Sequence, residues 1–212
     1  MQYLKFMRTK VTAYVLMSVA SLLISGGFVY TGTAFAGTVQ LSDMIDHAAD
    51  AGQGAGVKDW KQWPAVGKAE LRWFVFDVYT SELRSESGRY QENQRPVDQN
   101  LVLKITYRRS IDAEDLLEAT QEQWLHLGYA QTDIEQWSKV LAEIYPSVSE
   151  GDELSFVIHN QQGGFFFRKR TQADWQSLGE IKEPLFSNAF ISIWLSPETE
   201  YPRLRQQLIG GV

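Results

Sequence analysis

The chain has no cysteine and only three histidines among its 212 residues. The missing thiols exclude disulfides, thiolate metal sites, covalent haem attachment, a cysteine nucleophile and lipid anchoring through an N-terminal Cys. His47, His126 and His159 lie in different segments with no i, i+4 spacing, so they point to no metal site. Basic residues are the minority, 20 against 26 acidic, and a net charge of −6 is the wrong sign for a nucleic-acid surface. No G-x-S-x-G elbow marks a serine nucleophile, and no G-x-G-x-x-G or phosphate loop follows a strand. What remains is an ordinary globular composition, 44% hydrophobic and 22% charged, rich in aromatic residues.

One further absence is local. Residues 1–36 contain Lys5, Arg8 and Lys10 but no Asp or Glu, followed by an apolar run from Val11 to about Tyr30 and by Ala34-Phe35-Ala36. A positive start, an apolar middle and an A-x-A site describe a secretory signal peptide, cleaved before Gly37. The alternative is a retained anchor, since the run approaches the roughly 20 residues that span a bilayer. Without an Arg-Arg pair the general secretory route is expected, and the periplasm is the expected location. Taking 36 residues from 212 leaves 176; the three basic residues lost carry the net charge from −6 to −9. A domain of that size without disulfides rests on its hydrophobic core.

Residues 37–57, with Ala51-Gly52-Gln53-Gly54-Ala55-Gly56, read as a flexible arm in which Leu41–Ala49 has the length of a short helix. The domain then spans residues 58–212. Leu71–Tyr79 is apolar except for Arg72 and Asp77 and reads as a strand, extended or restarted by Ser81–Leu83. Ser85–Asn100 reads as a polar loop, and Leu101–Tyr107 alternates as a strand. Helices are predicted after Asp112, with Leu116, Leu117, Thr120, Trp124 and Leu127 on one face up to Gly128, and after the capping box Thr132–Glu135, closing at Pro146. Gly151–His159 reads as a strand, Gln161–Gly164 as a hairpin turn, Phe165–Phe167 as the return strand, and Glu183–Leu195 and Pro202–Leu208 as helices. Clustered strands with clustered helices predict an α+β domain: an antiparallel β-sheet with a layer of α-helices on one face.

Chemistry concentrates in the aromatic residues. Trp73, Phe74, Phe76, Tyr79, Tyr107, Trp124 and Trp194 fall on elements expected to face one another. They build either a packed core or a pocket for an apolar ligand, with Arg72, Tyr79, Tyr107, Thr120 and Trp124 as candidate ligand-binding residues. A half-buried Arg72 needs an anionic partner, either one of the chain's own carboxylates or a ligand's. Glu114, Asp115, Glu118 and Glu122 read as a solvated helix face, and Arg168-Lys169-Arg170 as a solvated hairpin extension.

Three stretches in order, Trp63–Gly67 leading into Leu71–Leu83, Ile105–Arg109 leading into the Asp112–Gly128 helix, and Phe190–Pro197 running on to Tyr201-Pro202-Arg203-Leu204-Arg205, resemble the bacterial chalcone isomerase-like domain family over about residues 60–210. The resemblance implies a large antiparallel sheet, a helical layer and a ligand cleft between them, in a family divided among isomerases, fatty-acid binders and non-catalytic relatives. The plant enzymes use an Arg ahead of the first long strand, a Thr within it, and a Tyr and an Asn on the following helix. Here Asp59–Val66 offers no Arg, the Thr position falls near Phe74, Ala113 stands where the Tyr is sought, and Thr120 lies near the Asn. The expectation is therefore a non-catalytic exported protein, with no catalytic residue, cofactor or metal, binding an apolar, possibly anionic or fatty-acid-like small molecule in the sheet–helix cleft. Its membrane contact would come only through an uncleaved signal segment. The alternatives are an isomerase or intramolecular lyase using Tyr107, Arg72 or Thr120, and an envelope interaction module docking through the acidic helix or Arg168–Arg170.

Overall fold

The computed structural model describes residues 45–46, 59–73 and 76–211, which fall in one compact unit spanning Val39–Val212. The expected signal segment, residues 1–36, lies outside the described residues, as does Phe74. Among the described residues seven strands form one antiparallel sheet: β1 (Ile45–Asp46), β2 (Ala65–Trp73), β3 (Phe76–Ser85), β4 (Leu101–Tyr107), β5 (Glu153–His159), β6 (Gln162–Arg168) and β7 (Gln176–Ile181). β2 to β7 follow one another as a meander, and the two-residue β1 adds to the far edge by pairing Ile45 with Ile181 and Asp46 with Glu180. Within the expected arm, Ile45–Asp46 is thus extended rather than part of a helix. Helices α1 (Ala113–His126) and α2 (Gln131–Ile144) are inserted between β4 and β5, and α3 (Pro184–Leu195) and α4 (Pro202–Leu208) follow β7.

The period-2 alternation of strands sorts two faces. Leu101, Leu103, Ile105 and Tyr107 of β4, Leu154, Phe156 and Ile158 of β5, and Phe165 and Phe167 of β6 join one core with Trp124, Trp137, Leu141, Phe186, Phe190 and Trp194 of the helices. The α+β architecture with helices on one face is therefore present. On the opposite face Val102 and Val157 are capped by Trp60 and Trp63 from a 3-10 turn, with Phe166 and Trp175 beside them. The rest of that face is charged: Glu82 meets Lys68, Arg84 and Lys104, and Glu153 meets Lys104 and Arg168.

Several local expectations are corrected. Leu71–Tyr79 is not one strand but the end of β2 and the start of β3, paired Leu71 to Tyr79, Arg72 to Asp77 and Trp73 to Phe76. The apolar stretch 73–76 between Arg72 and Asp77 carries no turn signal, and the chain reverses there. β7 (Gln176–Ile181) is a strand the periodicity did not mark; Gly179 and a register shift opposite Phe165/Phe166 interrupt its alternation. The β5–β6 turn is Asn160-Gln161, both with positive φ (50° and 66°), as a two-residue type I′ hairpin requires. Gly163 and Gly164 belong instead to β6, where a Cβ on Gly163 would sit 2.6 Å from the Phe156 ring and 2.7 Å from Ser187 Oγ. The second helix starts at Gln131 with Ala130 at its N-cap, so Thr132–Glu135 lies inside its first turn and forms no capping box. Asp112 does occupy the N-cap of α1, but the amide of Ala113 donates to Ser147 Oγ (3.1 Å).

Candidate functional site

β3 and β4 place Tyr79 directly opposite Tyr107 in the ladder, and both side chains face the helical layer. From above, α3 delivers Trp194, whose Nε1 donates to the phenol oxygen of Tyr79 at 2.9 Å. Helix α1 brings Thr120, whose hydroxyl donates back to the Leu116 carbonyl (2.8 Å) and hydrogen-bonds to the phenol of Tyr145 at 3.0 Å. Tyr145 sits at the C-cap of α2, one helical turn beyond the buried Leu141. Tyr79, Tyr107 and Tyr145 thus form a phenol cluster between sheet and helices. Burial pushes all three above the ordinary phenol range, and the Trp194 and Thr120 bonds offset only part of the rise at Tyr79 and Tyr145. Tyr201 joins them, pushed up to about 12 by burial and then by Glu200 and Glu122. Such groups stay protonated at neutral pH. They can donate hydrogen bonds to a developing oxyanion but cannot act as general bases there.

Four of the five sequence-nominated residues therefore lie in the layer between sheet and helices. Thr120 is bonded to Tyr145, and Tyr79 stands opposite Tyr107 in the ladder. Trp124, one turn beyond Thr120, is fully buried, with its ring edge-on to Trp137 (5.2 Å) and Phe186 (5.7 Å). Its indole nitrogen has no hydrogen-bond partner among the described residues. Arg72 lies elsewhere: it is exposed on the edge strand, and its guanidinium meets Glu70 (3.0 Å) and Asp77 (2.8 Å). Its partners are thus the chain's own carboxylates. The sequence pattern does not single out Tyr145 and Trp194 as polar partners. The i+4 step from Leu141 to Tyr145 is the sequence signal for the former, whereas only the fold pairs Trp194 with Tyr79.

Rings fill the layer between sheet and helices. Phe156, Phe165 and Phe190 contact one another at centroid distances of 4.6–4.9 Å, and Trp194 packs at a tilt against Phe190 at 5.4 Å. Open space lies instead beside the β2–β3 tip, in a groove of about 600 Å³ where Phe76, Tyr79 and Thr80 meet the cations Arg108 and Arg109 and the carboxylates Glu70, Asp77 and Glu150. Phe76 is exposed there, and the Arg109 guanidinium lies 5.7 Å from its ring centroid. Neither Arg108 nor Arg109 forms an ion pair among the described residues, in contrast to Arg72. Also among the described residues, no group of three or more His, Cys, Asp or Glu side chains is placed to hold a metal ion, and no helix is long and apolar enough to cross a membrane.

Comparison with known proteins gives two findings. A family model described as chalcone isomerase-like matches residues 68–210. An uncharacterized protein of Haemophilus influenzae is 31% identical over 148 residues, covering 70% of this chain and 68% of that protein.

Proposed function

The chain belongs to the chalcone isomerase-like family, and we propose that this member is an exported, non-catalytic protein that binds an apolar small molecule carrying an acidic group. The observation that carries this reading is the pairing of Tyr79, Thr120 and Tyr145 with neighbouring side chains between sheet and helices. Tyr79 is bonded to Trp194 and Thr120 to Tyr145, so these hydroxyls are already engaged. The phenols are held protonated by burial, which leaves the layer without a base suited to proton abstraction at neutral pH. The ligand is assigned to the outer groove, where the exposed Phe76 adjoins Arg108 and Arg109. Phe76 next to Arg108 and Arg109, in a groove whose carboxylates Glu70 and Asp77 are paired with Arg72, suits an aliphatic or aromatic body with a carboxylate head. Export rests on the segment Met1–Ala36, and it predicts a periplasmic protein beginning at Gly37.

Titration of the purified protein with dodecanoate, followed by tryptophan fluorescence and calorimetry, tests the reading. Saturable binding of dodecanoate, at least tenfold weaker binding of dodecanol, and a tenfold loss in the Arg108→Ala/Arg109→Ala double variant are expected. Equal binding of acid and alcohol would refute the assigned head-group contact. A chalcone added to the same protein should cyclise no faster than in buffer, and acceleration would favour the isomerase alternative. Cell fractionation with mass measurement of the N-terminus checks export, and a full-length chain retained in the membrane would overturn it.

A further inference from the structure

The motif Tyr201-Pro202-Arg203-Leu204-Arg205 ends on a residue that the reading above leaves unused. Arg205, on α4, is only 7% exposed. Its Nε donates to the carbonyl of Leu195, the last residue of α3, at 2.8 Å. Its Nη2 donates to the carboxylate of Glu92, also at 2.8 Å. The two partners of this ion pair differ sharply in setting. The Arg205 side chain is 8% exposed and that of Glu92 is 61% exposed, so a solvated carboxylate reaches inward to a desolvated cation.

The loop that carries Glu92 is anchored on both sides of it. The Gln99 side chain accepts from the Gln91 amide (2.9 Å) and donates to the Gln91 carbonyl (3.0 Å), while Val97 is buried and Arg95 pairs with Asp98. Between this loop, the end of α1 and the C-terminal half of α3 lies a pocket of about 290 Å³. Tyr90 and Tyr129 supply aromatic walls, Asn188 and Ser192, one turn apart on α3, supply polar groups, and Arg205 and Glu92 border it. Asn188 uses its carbonyl oxygen toward the Val97 amide (3.4 Å), which leaves its amide hydrogens as donors. None of these residues lines the Phe76–Arg109 groove.

A buried guanidinium holds its charge only with an anion beside it. Glu92 fills that role but loses little hydration in doing so, and it returns to water at correspondingly little cost. We propose that this pocket binds a small aromatic carboxylic acid whose carboxylate replaces Glu92 on Arg205, so that Glu92 is a built-in competitor for the site. The exchange conserves charge, since one carboxylate leaves the guanidinium as another arrives. It presents Arg205 to the ligand in the forked geometry that guanidinium offers a carboxylate, with the ring of the acid between Tyr90 and Tyr129.

Phenylacetate and its neutral analogue phenylacetamide are the probes, titrated into the full chain by NMR and calorimetry. Phenylacetate should bind, phenylacetamide should bind at least tenfold more weakly, and Glu92→Gln should tighten phenylacetate binding about tenfold by removing the competitor. Glu92 is exposed, so that variant is expected to fold. Arg205→Lys should weaken binding; if it does not fold, the Glu92→Gln and amide arms decide. Failure of both the wild-type protein and Glu92→Gln to bind phenylacetate would overturn the proposal. So would unchanged or weaker binding by Glu92→Gln, or equal binding of acid and amide. Loss of phenylacetate binding in Arg108→Ala/Arg109→Ala would also overturn it, by moving the acid to the outer groove, whereas a wild-type response in that variant supports it. Dodecanoate binding reports on the outer groove independently.

Discussion

The phenol oxygen of Tyr79 on β3 accepts a 2.9 Å hydrogen bond from the indole nitrogen of Trp194 on α3, tying the sheet to the helical layer across 115 residues of sequence. A partner lost from such a bond leaves a buried polar group unsatisfied. Tyr79→Phe should therefore cost about 1–3 kcal/mol, measured by urea denaturation. Trp194→Phe also removes packing against Phe190. The double variant should be less damaged than the sum of the singles, by about 0.5–1.5 kcal/mol. Strict additivity would show that the bond contributes nothing of its own.

The phenol cluster predicts alkaline instability with a definite sign. Tyr79, Tyr107 and Tyr145 bind their protons more tightly folded than unfolded, because burial disfavours the phenolate. Their contribution to stability is complete below the unfolded-state value of about 10 and is lost as pH rises beyond it. Absorbance at 295 nm should show these three phenols ionising only as circular dichroism reports unfolding. Reversible ionisation of every tyrosine near pH 10 with the fold intact would contradict the buried placement.

Acid acts through Glu82 on the outer face. Burial alone would raise its carboxyl, but Lys104, Arg84 and Lys68 together hold it below the usual carboxylate range. Its stabilising contribution is present above the unfolded-state value of about 4.3 and disappears as pH falls through the lower folded value. Glu82→Gln should lower stability at pH 7 and flatten the acid limb of the stability–pH curve. A variant with the acid limb of the wild type would show that other carboxylates govern acid unfolding.

The packed layer makes a cavity prediction. Trp124→Ala removes a fully buried indole that contacts Trp137 and Phe186 and should cost about 3–5 kcal/mol. The space left is lined by apolar rings, so added indole should restore part of the lost stability in thermal melts. The wild-type protein should show no such response. Equal stabilisation of both would place the indole at another site.

The β5–β6 turn offers a gain. Gln161 holds φ at 66° against its intrinsic preference, following Asn160 at 50°. Gln161→Gly creates the Asn-Gly pair favoured in type I′ turns and should stabilise the protein by about 0.5–1 kcal/mol. By contrast, Gly163→Ala two positions on should cost about 1–3 kcal/mol, because its methyl would press on Phe156 and Ser187. Chemical denaturation of both variants checks the pair.

The α+β class, the helices α1 to α4 and the faces of β4 were legible in the sequence, because each depends on neighbours along the chain. The apolar stripe from Leu116 to Leu127, the alternation from Leu101 to Tyr107 and the prolines at the starts of α3 and α4 act over a few residues, and local periodicity reports them. The clustering of aromatic residues was visible as composition. Three things were decided only by the tertiary structure. The reversal inside Leu71–Tyr79 was one, since the pairing of Trp73 with Phe76 and Arg72 with Asp77, rather than any turn residue, marks where β3 begins. The exposure of Arg72 was another, because Glu70 and Asp77 satisfy it on the edge strand instead of a partner in the core. The last was the pairing of Tyr79 with Trp194, Thr120 with Tyr145 and Arg205 with Glu92. Side chains 25 to 115 positions apart meet there, at distances that no local pattern encodes.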